Sequence, residues 1–206
     1  MTGQNIANEL RQNILSGSLK PGEELRQTEI AQEFNVSRIP VRDALGILAS
    51  ENLVVLNPNR KAKVIALTQT ELSEIFDLRI LLECNALSLA IENITPDILD
   101  HVTYILEKSN IEAGRPGWTA GDWAFHKALY QPSGLSKHIQ IIEELRQTCQ
   151  IHVAAYGELK NSTDQWLKDH KIIVRLYQKG DVPGAKNTLA AHLTAAKKSL
   201  LHGMAD

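Results

Sequence analysis

Four side chains in the C-terminal half of the sequence, Asp122, His126, His170 and His192, have the types and spacing to hold a metal ion. In DWAFHKAL, Asp122 and His126 stand four residues apart, which puts both on one face of a helix. The stretch DHKIIVRLYQKGDVPGAKNTLAAHL then places His170 and His192 on two consecutive helices. In an antiparallel bundle the four could converge as one carboxylate oxygen and three imidazole nitrogens. That set suits zinc, nickel or a similar divalent ion, with positions left for water or a ligand. Spacing alone also allows a plainer reading, because a lone helical histidine is more often exposed or a satisfied core residue, and this chain has seven. The other four, His101, His138, His152 and His202, read as surface or packing residues.

A second stretch, VSRIPVRDAL over residues 36–45, carries a different chemistry. Ser37 can cap a helix whose first turn holds Pro40, tolerated there because no intrahelical bond is lost. Arg38 and Arg42 then lie one turn apart on one face, where a guanidinium can grip guanine or phosphate through two bonds. The unsatisfied N–H groups and positive dipole end of such a helix also suit a phosphate. Arg60, Lys61 and Lys63 place further cations on a short hairpin downstream.

The elements that position these residues follow from periodicity. Residues 4–16 set Ile6, Leu10, Ile14 and Leu15 on one face, and Gly17 supplies a stop. LKPGEEL reads as a turn, Thr28 as the cap of a short helix TEIAQEF, and Ser37 as the cap of a helix running to about Glu51. LVVLN and KVIAL are short β-branched runs separated by PNRKA, which predicts a small hairpin. Thr68 to Glu71 forms a capping box, and six helices are predicted at about 69–92, 96–112, 119–131, 136–159, 163–179 and 183–203. The fold class expected is therefore mainly α: an N-terminal winged helix-turn-helix over 1–67, followed by an all-α six-helix bundle over 68–206.

Composition narrows the function classes. Residues 1–67 hold 8 Lys or Arg against 7 Asp or Glu, and residues 68–206 hold 14 against 17, for a formal net charge of −2 overall. Neither half is a polybasic arm, so DNA binding has to rest on a few well-aimed cations. No apolar run approaches the roughly 18 residues a membrane span needs, and MTGQNIANEL lacks the pattern of a secretory signal. Two distant cysteines, Cys84 and Cys149, give no disulfide framework and read as buried thiols. A cytoplasmic protein is expected, with no membrane partner.

VSRIPVRDAL followed by LASENLV resembles the signature of the GntR family of bacterial transcription regulators, and ILSGSLKPGEEL is similar to that family's first helix and turn. The remaining six helices resemble the effector domain of its FadR subfamily, the FCD domain, in a short form. The chain departs from the family in having Arg60-Lys61 where glycine is usual at the wing tip, and Asn52 where glycine usually follows the recognition helix. Asparagine tolerates the left-handed conformation, which makes the second change benign. Leu135 and Ser136 stand where the family often has an asparagine.

The resemblance implies a homodimer that binds double-stranded operator DNA and is modulated by a small organic acid, repression relieved by ligand being the family habit. It implies a DNA-binding set of Thr28, Ser37, Arg38, Pro40, Arg42, Arg60 and Lys61. It matches Asp122, His126, His170 and His192 to the positions at which FCD domains hold a divalent metal, zinc or nickel here. It also casts Arg79, in DLRILLE, as a partner for an effector carboxylate, against the alternative of a surface charge or a salt bridge with Glu83 four residues on. Trp118, Trp123 and Trp166 could line the pocket, although tryptophans at helical positions are usually core or interface. Two rivals remain: a bundle that only dimerises, and a metalloenzyme in which three histidines and an aspartate activate water.

Overall fold

The computed structural model describes residues 1–57, 61–114, 118–156 and 159–204, with the side chains of 154–162 outside that description. Among the described residues the chain forms nine α-helices, one short 3-10 helix and three short strands. It divides into two compact units.

The first unit begins with α1 (Gly3–Leu15), capped by Thr2, whose hydroxyl accepts from the Asn5 N–H at 3.3 Å. Strand β1 (Glu24–Leu25), α2 (Gln27–Glu33), α3 (Arg38–Ser50), β2 (Val54–Leu56) and β3 (Ala62–Val64) follow. The apolar spacing of α1 buries Ile6, Leu10 and Ile14 against Val41, Leu45 and Leu48 of α3. Each such side chain contributes roughly 1.5–3 kcal/mol when fully removed from water. Gly3 lets the two helices approach closely, since a Cβ there would sit 3.1 Å from the Pro40 carbonyl oxygen and 3.1 Å from the Asp43 Cβ. At the far end of α1, Arg11 holds Glu51 through two bonds of 2.7 and 2.6 Å.

Three expectations change here. The hairpin strands are shorter than LVVLN and KVIAL, and β1 joins them in an antiparallel sheet of order β1-β3-β2. Leu25 and Leu56 both stand opposite Ala62. The sequence around β1 reads as a turn because only two of its residues pair. Thr28 is not the cap of α2: Arg26 holds that position, without a side-chain capping bond, and Thr28 lies inside the first turn. Ser37 does hold the cap position of α3, but its side chain makes no capping bond. Asn52 adopts a φ of 57°, the left-handed conformation for which glycine would ordinarily be chosen.

The second unit contains α4 (Gln69–Glu92), α5 (Pro96–Glu112), α6 (Trp118–Tyr130), a 3-10 helix (Gln131–Ser133), α7 (Ser136–Tyr156), α8 (Leu159–Gln178) and α9 (Val182–Gly203). Their starts and ends fall within a few residues of the six predicted helices. Leu87, Val102, Phe125, Leu129, Ile142, Ile173, Tyr177 and Leu189 are buried in one core. Helix α7 is shared: from Thr148 onward it belongs to the first unit. There Ile151 is buried in the first core, and His152 Nε2 accepts from the Leu67 N–H at 2.9 Å. Cys84 and Cys149 are both buried, and neither forms a disulfide.

Candidate metal centre and nucleic-acid interface

In the second unit, α6 presents Asp122, His126 and Tyr130 at successive turns of one face, while His170 comes from α8 and His192 from α9. His126, His170 and His192 are all buried, and one nitrogen from each lies within 4.8 Å of the others. Their ring centroids are separated by 5.0, 4.9 and 5.7 Å. Asp122, expected as the fourth ligand, stands just outside this cluster: its Oδ1 is 3.8 Å from His126 Nε2 and 3.6 Å from His170 Nε2. Its other oxygen, Oδ2, accepts from Arg146 at 2.5 Å.

His126 Nε2 and both ring nitrogens of His170 are buried with no hydrogen-bond partner among the described residues. Buried polar atoms are rarely left unsatisfied, and a divalent ion among these nitrogens would satisfy them, so the residues fit the metal that their types suggest. Protonation favours the same conclusion. Burial and then the Arg146 charge push His126 well below the ordinary histidine range, and burial brings His170 down to about 4 although Asp122 opposes it. Both rings are neutral at physiological pH, the form that binds metal.

The tautomers follow from proton counting. Tyr130 donates its single hydroxyl proton to Glu83 Oε2 at 2.7 Å, so at 3.0 Å it can only accept from His126 Nδ1. His126 Nε2 therefore carries a lone pair toward the cluster. Asp169 Oδ2 lies 3.2 Å from His192 Nδ1, and the bond to His192, opposed by burial, holds Asp169 below the usual carboxylate range. An ionised carboxylate accepts only, so His192 too keeps its proton on Nδ1 and leaves Nε2 for a metal.

Glu83 is the centre of the surrounding polar groups. Fully buried, it accepts from Arg79 Nε at 2.8 Å, from Tyr130, and from Arg146 at 3.3 Å. Burial would raise its pKa, but the Arg79 and Arg146 charges and the bonds from Tyr130 and Arg79 outweigh it, and Glu83 is held below the usual carboxylate range. Arg79 is thus buried and salt-bridged, with its guanidinium also 4.7 Å from the Phe76 ring centroid. Beside Glu83, the Cys84 thiol is pushed up to about 11 by burial and then by the Glu83 charge. Trp118 is buried and stacked on Trp166 at 6.0 Å, and Trp166 meets the His192 ring at 6.1 Å. Trp123 instead bonds Glu143 at 2.8 Å and lies beneath the Arg146 guanidinium at 5.2 Å.

In the first unit, the N-terminal end of α3 opens on a cleft lined by Arg26, Thr28, Arg38, Ile39, Arg42 and Lys61, among others. Arg38 and Arg42 are exposed and form no ion pair among the described residues. Arg26 pairs with Glu29 at 2.9 Å, and Lys61 with Glu24 at 3.5 Å. Pro40 sits in the first turn of α3 and Ser37 immediately before it. Ile39 is 64% exposed, which leaves a large apolar side chain among these cations. Arg60 lies outside the described residues. The sequence reading missed Arg26 and Ile39 here, and Glu83's central role, Tyr130, Arg146 and Asp169 in the bundle. Of these Tyr130, four residues after His126, and Glu83, four after Arg79, had a local signal.

Three helices and a winged sheet with free cations at the third helix, joined to an all-helical unit, define a DNA-binding transcription regulator. The comparisons with known proteins specify the kind. Residues 2–64 match the family of bacterial regulatory proteins called gntR, and residues 74–195 match the FCD domain. The chain belongs to the GntR family, in its FadR-like subfamily. It is 50% identical over 82 residues to the gluconate operon transcriptional repressor of Bacillus subtilis (strain 168), a match covering 40% of this chain and 33% of that protein. To the HTH-type transcriptional regulator McbR of Escherichia coli (strain K12) it is 31% identical over 148 residues, covering 68% of this chain and 65% of that one. The solved structure of E. coli McbR/YncC shares the fold, with a TM-score of 0.77 over 99% of this chain and 98% of that chain at 24% identity. These relatives are named as transcriptional regulators, and the metalloenzyme alternative gives way to that reading.

Proposed function

We propose that this regulator is an operator-binding repressor whose affinity for DNA is set by a small carboxylate held at a divalent metal, zinc or nickel, in the bundle. The observation that carries the reading is the set of buried imidazole nitrogens without partners on His126 and His170. Asp122, His126, His170 and His192 would hold the ion, and the metal, when bound, would supply an electrophilic seat for a carboxylate oxygen. The formal charges support an anion. Arg79 and Arg146 balance Glu83 and Asp122, so a dication adds positive charge that Asp169 alone does not offset. Arg79, from within its ion pair with Glu83, is our candidate for the effector carboxylate.

DNA recognition is assigned to residues 1–67, and effector binding and dimerisation to residues 68–206. Arg38 and Arg42, together with Thr28, Ser37, Pro40, Arg60 and Lys61, meet the operator, and a homodimer presents one α3 to each half-site. Among the described residues no helix is long and apolar enough to cross a membrane. A regulator that meets bacterial operator DNA works in the cytoplasm, and that is where this reading puts it. Ligand binding shifts operator affinity by about 1–3 kcal/mol, the usual size of such coupling.

Elemental analysis of untagged protein, purified without a nickel column, tests this directly. The expected result is about one ion per chain, lost in His126→Ala. Absence of metal even after adding zinc or nickel in excess would leave the bundle as a dimerisation unit only.

A further inference from the structure

We propose that Glu83, which is not a ligand, positions two of the four metal ligands from a single buried point, through Tyr130 and through Arg146. This inference rests on the metal-binding reading of the site. The geometry has two arms. In one, Glu83 Oε2 takes the Tyr130 hydroxyl proton at 2.7 Å, which obliges Tyr130 to accept from His126 Nδ1 at 3.0 Å. That fixes both the rotation of the His126 ring and its tautomer, with the Nε2 lone pair facing His170 and His192. In the other, the same Glu83 oxygen accepts from Arg146 at 3.3 Å while a second guanidinium nitrogen binds Asp122 Oδ2. That leaves Oδ1, the oxygen on the histidine side, as the one available to an ion.

Arg79 completes the arrangement. Its bond to Glu83, with the charge of Arg146, keeps the carboxylate ionised and hence an acceptor only. Were Glu83 protonated it could donate to Tyr130, and the tautomer of His126 would no longer be determined. Partners of this kind are worth about 10–100-fold in metal affinity although they never touch the ion. Asp169 performs the equivalent task for His192, but it holds only one ligand.

The alternative role for Arg146 is electrostatic. A guanidinium near a dication repels it, so if charge were its main effect, removing it would tighten metal binding. Positioning has the opposite sign, which makes the two separable.

The experiment uses the full-length chain stripped of metal, with zinc affinity measured by competition against a chromophoric chelator and the ligand field read from the visible spectrum of bound cobalt(II). Tyr130→Phe, which changes no charge, is expected to weaken zinc about 10–100-fold and to alter the cobalt spectrum. Arg146→Met is expected to do likewise, and Arg146→Lys to recover part of the loss. Glu83→Gln should lose about as much as both arms together, the fold-losses multiplying. If that variant does not fold, the single-arm variants still decide. Zinc binding within about twofold of wild type with unchanged cobalt spectra in Tyr130→Phe and Arg146→Met, or tighter binding in Arg146→Met, would overturn the proposal while leaving the metal site standing. Failure of the wild-type chain to bind zinc or cobalt at all would remove the metal reading, and this inference with it.

Discussion

His170 is the residue whose surroundings demand most explanation, because neither ring nitrogen has a hydrogen-bond partner among the described residues and burial brings its pKa down to about 4. An unfolded chain would protonate it near the ordinary histidine value of 6.5. Below 6.5 the unfolded state therefore binds a proton that the folded state refuses, and stability falls until the folded group titrates. Metal-free protein is thus expected to lose stability as pH drops from 6.5 toward about 4, as urea midpoints across that range would show. His170→Gln should flatten the profile, and an equally steep variant would contradict the argument. At the other site, Arg38→Ala and Arg42→Ala should each cost roughly 1–3 kcal/mol of operator binding in an anisotropy titration if the side chain reads a base. Unchanged titrations for both would sink the assignment. Asp122 and His126 were legible in the sequence because four-residue spacing specifies a shared helical face. Arg146 was not, since its partners Glu83 and Asp122 lie 63 and 24 residues away and no local spacing encodes that.

At the level of elements, hydrophobic periodicity and turn residues gave nearly every helix, because amphipathic stripes and Pro or Gly breaks are local properties. Strand β1 escaped, since two residues paired to β3 across 39 and 37 positions leave no pattern of their own. The caps show another limit: Ser37 has the right chemistry and place, yet the first turn of α3 takes no bond from it. Asn52 gave the clearest local success, its left-handed φ of 57° matching what asparagine tolerates and glycine prefers. Because asparagine's short polar side chain offsets the roughly 1–2 kcal/mol that other L-residues pay in that conformation, Asn52→Ala is expected to lower the stability of the metal-free protein by about 1 kcal/mol. Asn52→Gly should be neutral or slightly stabilising by the same thermal-melt measurement. Equal melts for the alanine and glycine variants would show that the backbone relaxes there.

The whole molecule sets the scale of the two binding reactions proposed for it. With a net charge of −2, it has little general attraction for a polyanion, and binding depends on the cations gathered at the α3 cleft. The logarithmic salt dependence of operator affinity should therefore be shallow, with a slope of about −2 to −4 per protomer for two to four phosphates neutralised. A much steeper slope would mean that cations elsewhere take part. In the bundle, an ion that binds only the folded chain raises its thermal midpoint by mass action. Excess zinc should do so for wild type and not for His170→Ala.

Cys84 gives the pocket one further property. Its thiol, deep in the bundle and held protonated up to about pH 11, is both shielded and chemically dormant, because thiolates and not thiols react with oxidants and electrophiles. Peroxide or an alkylating agent at neutral pH would find little to attack beside Glu83. On the proposed reading, a carboxylate effector bound in this bundle would go on being registered through an oxidative burst, untouched by the redox weather of the cell.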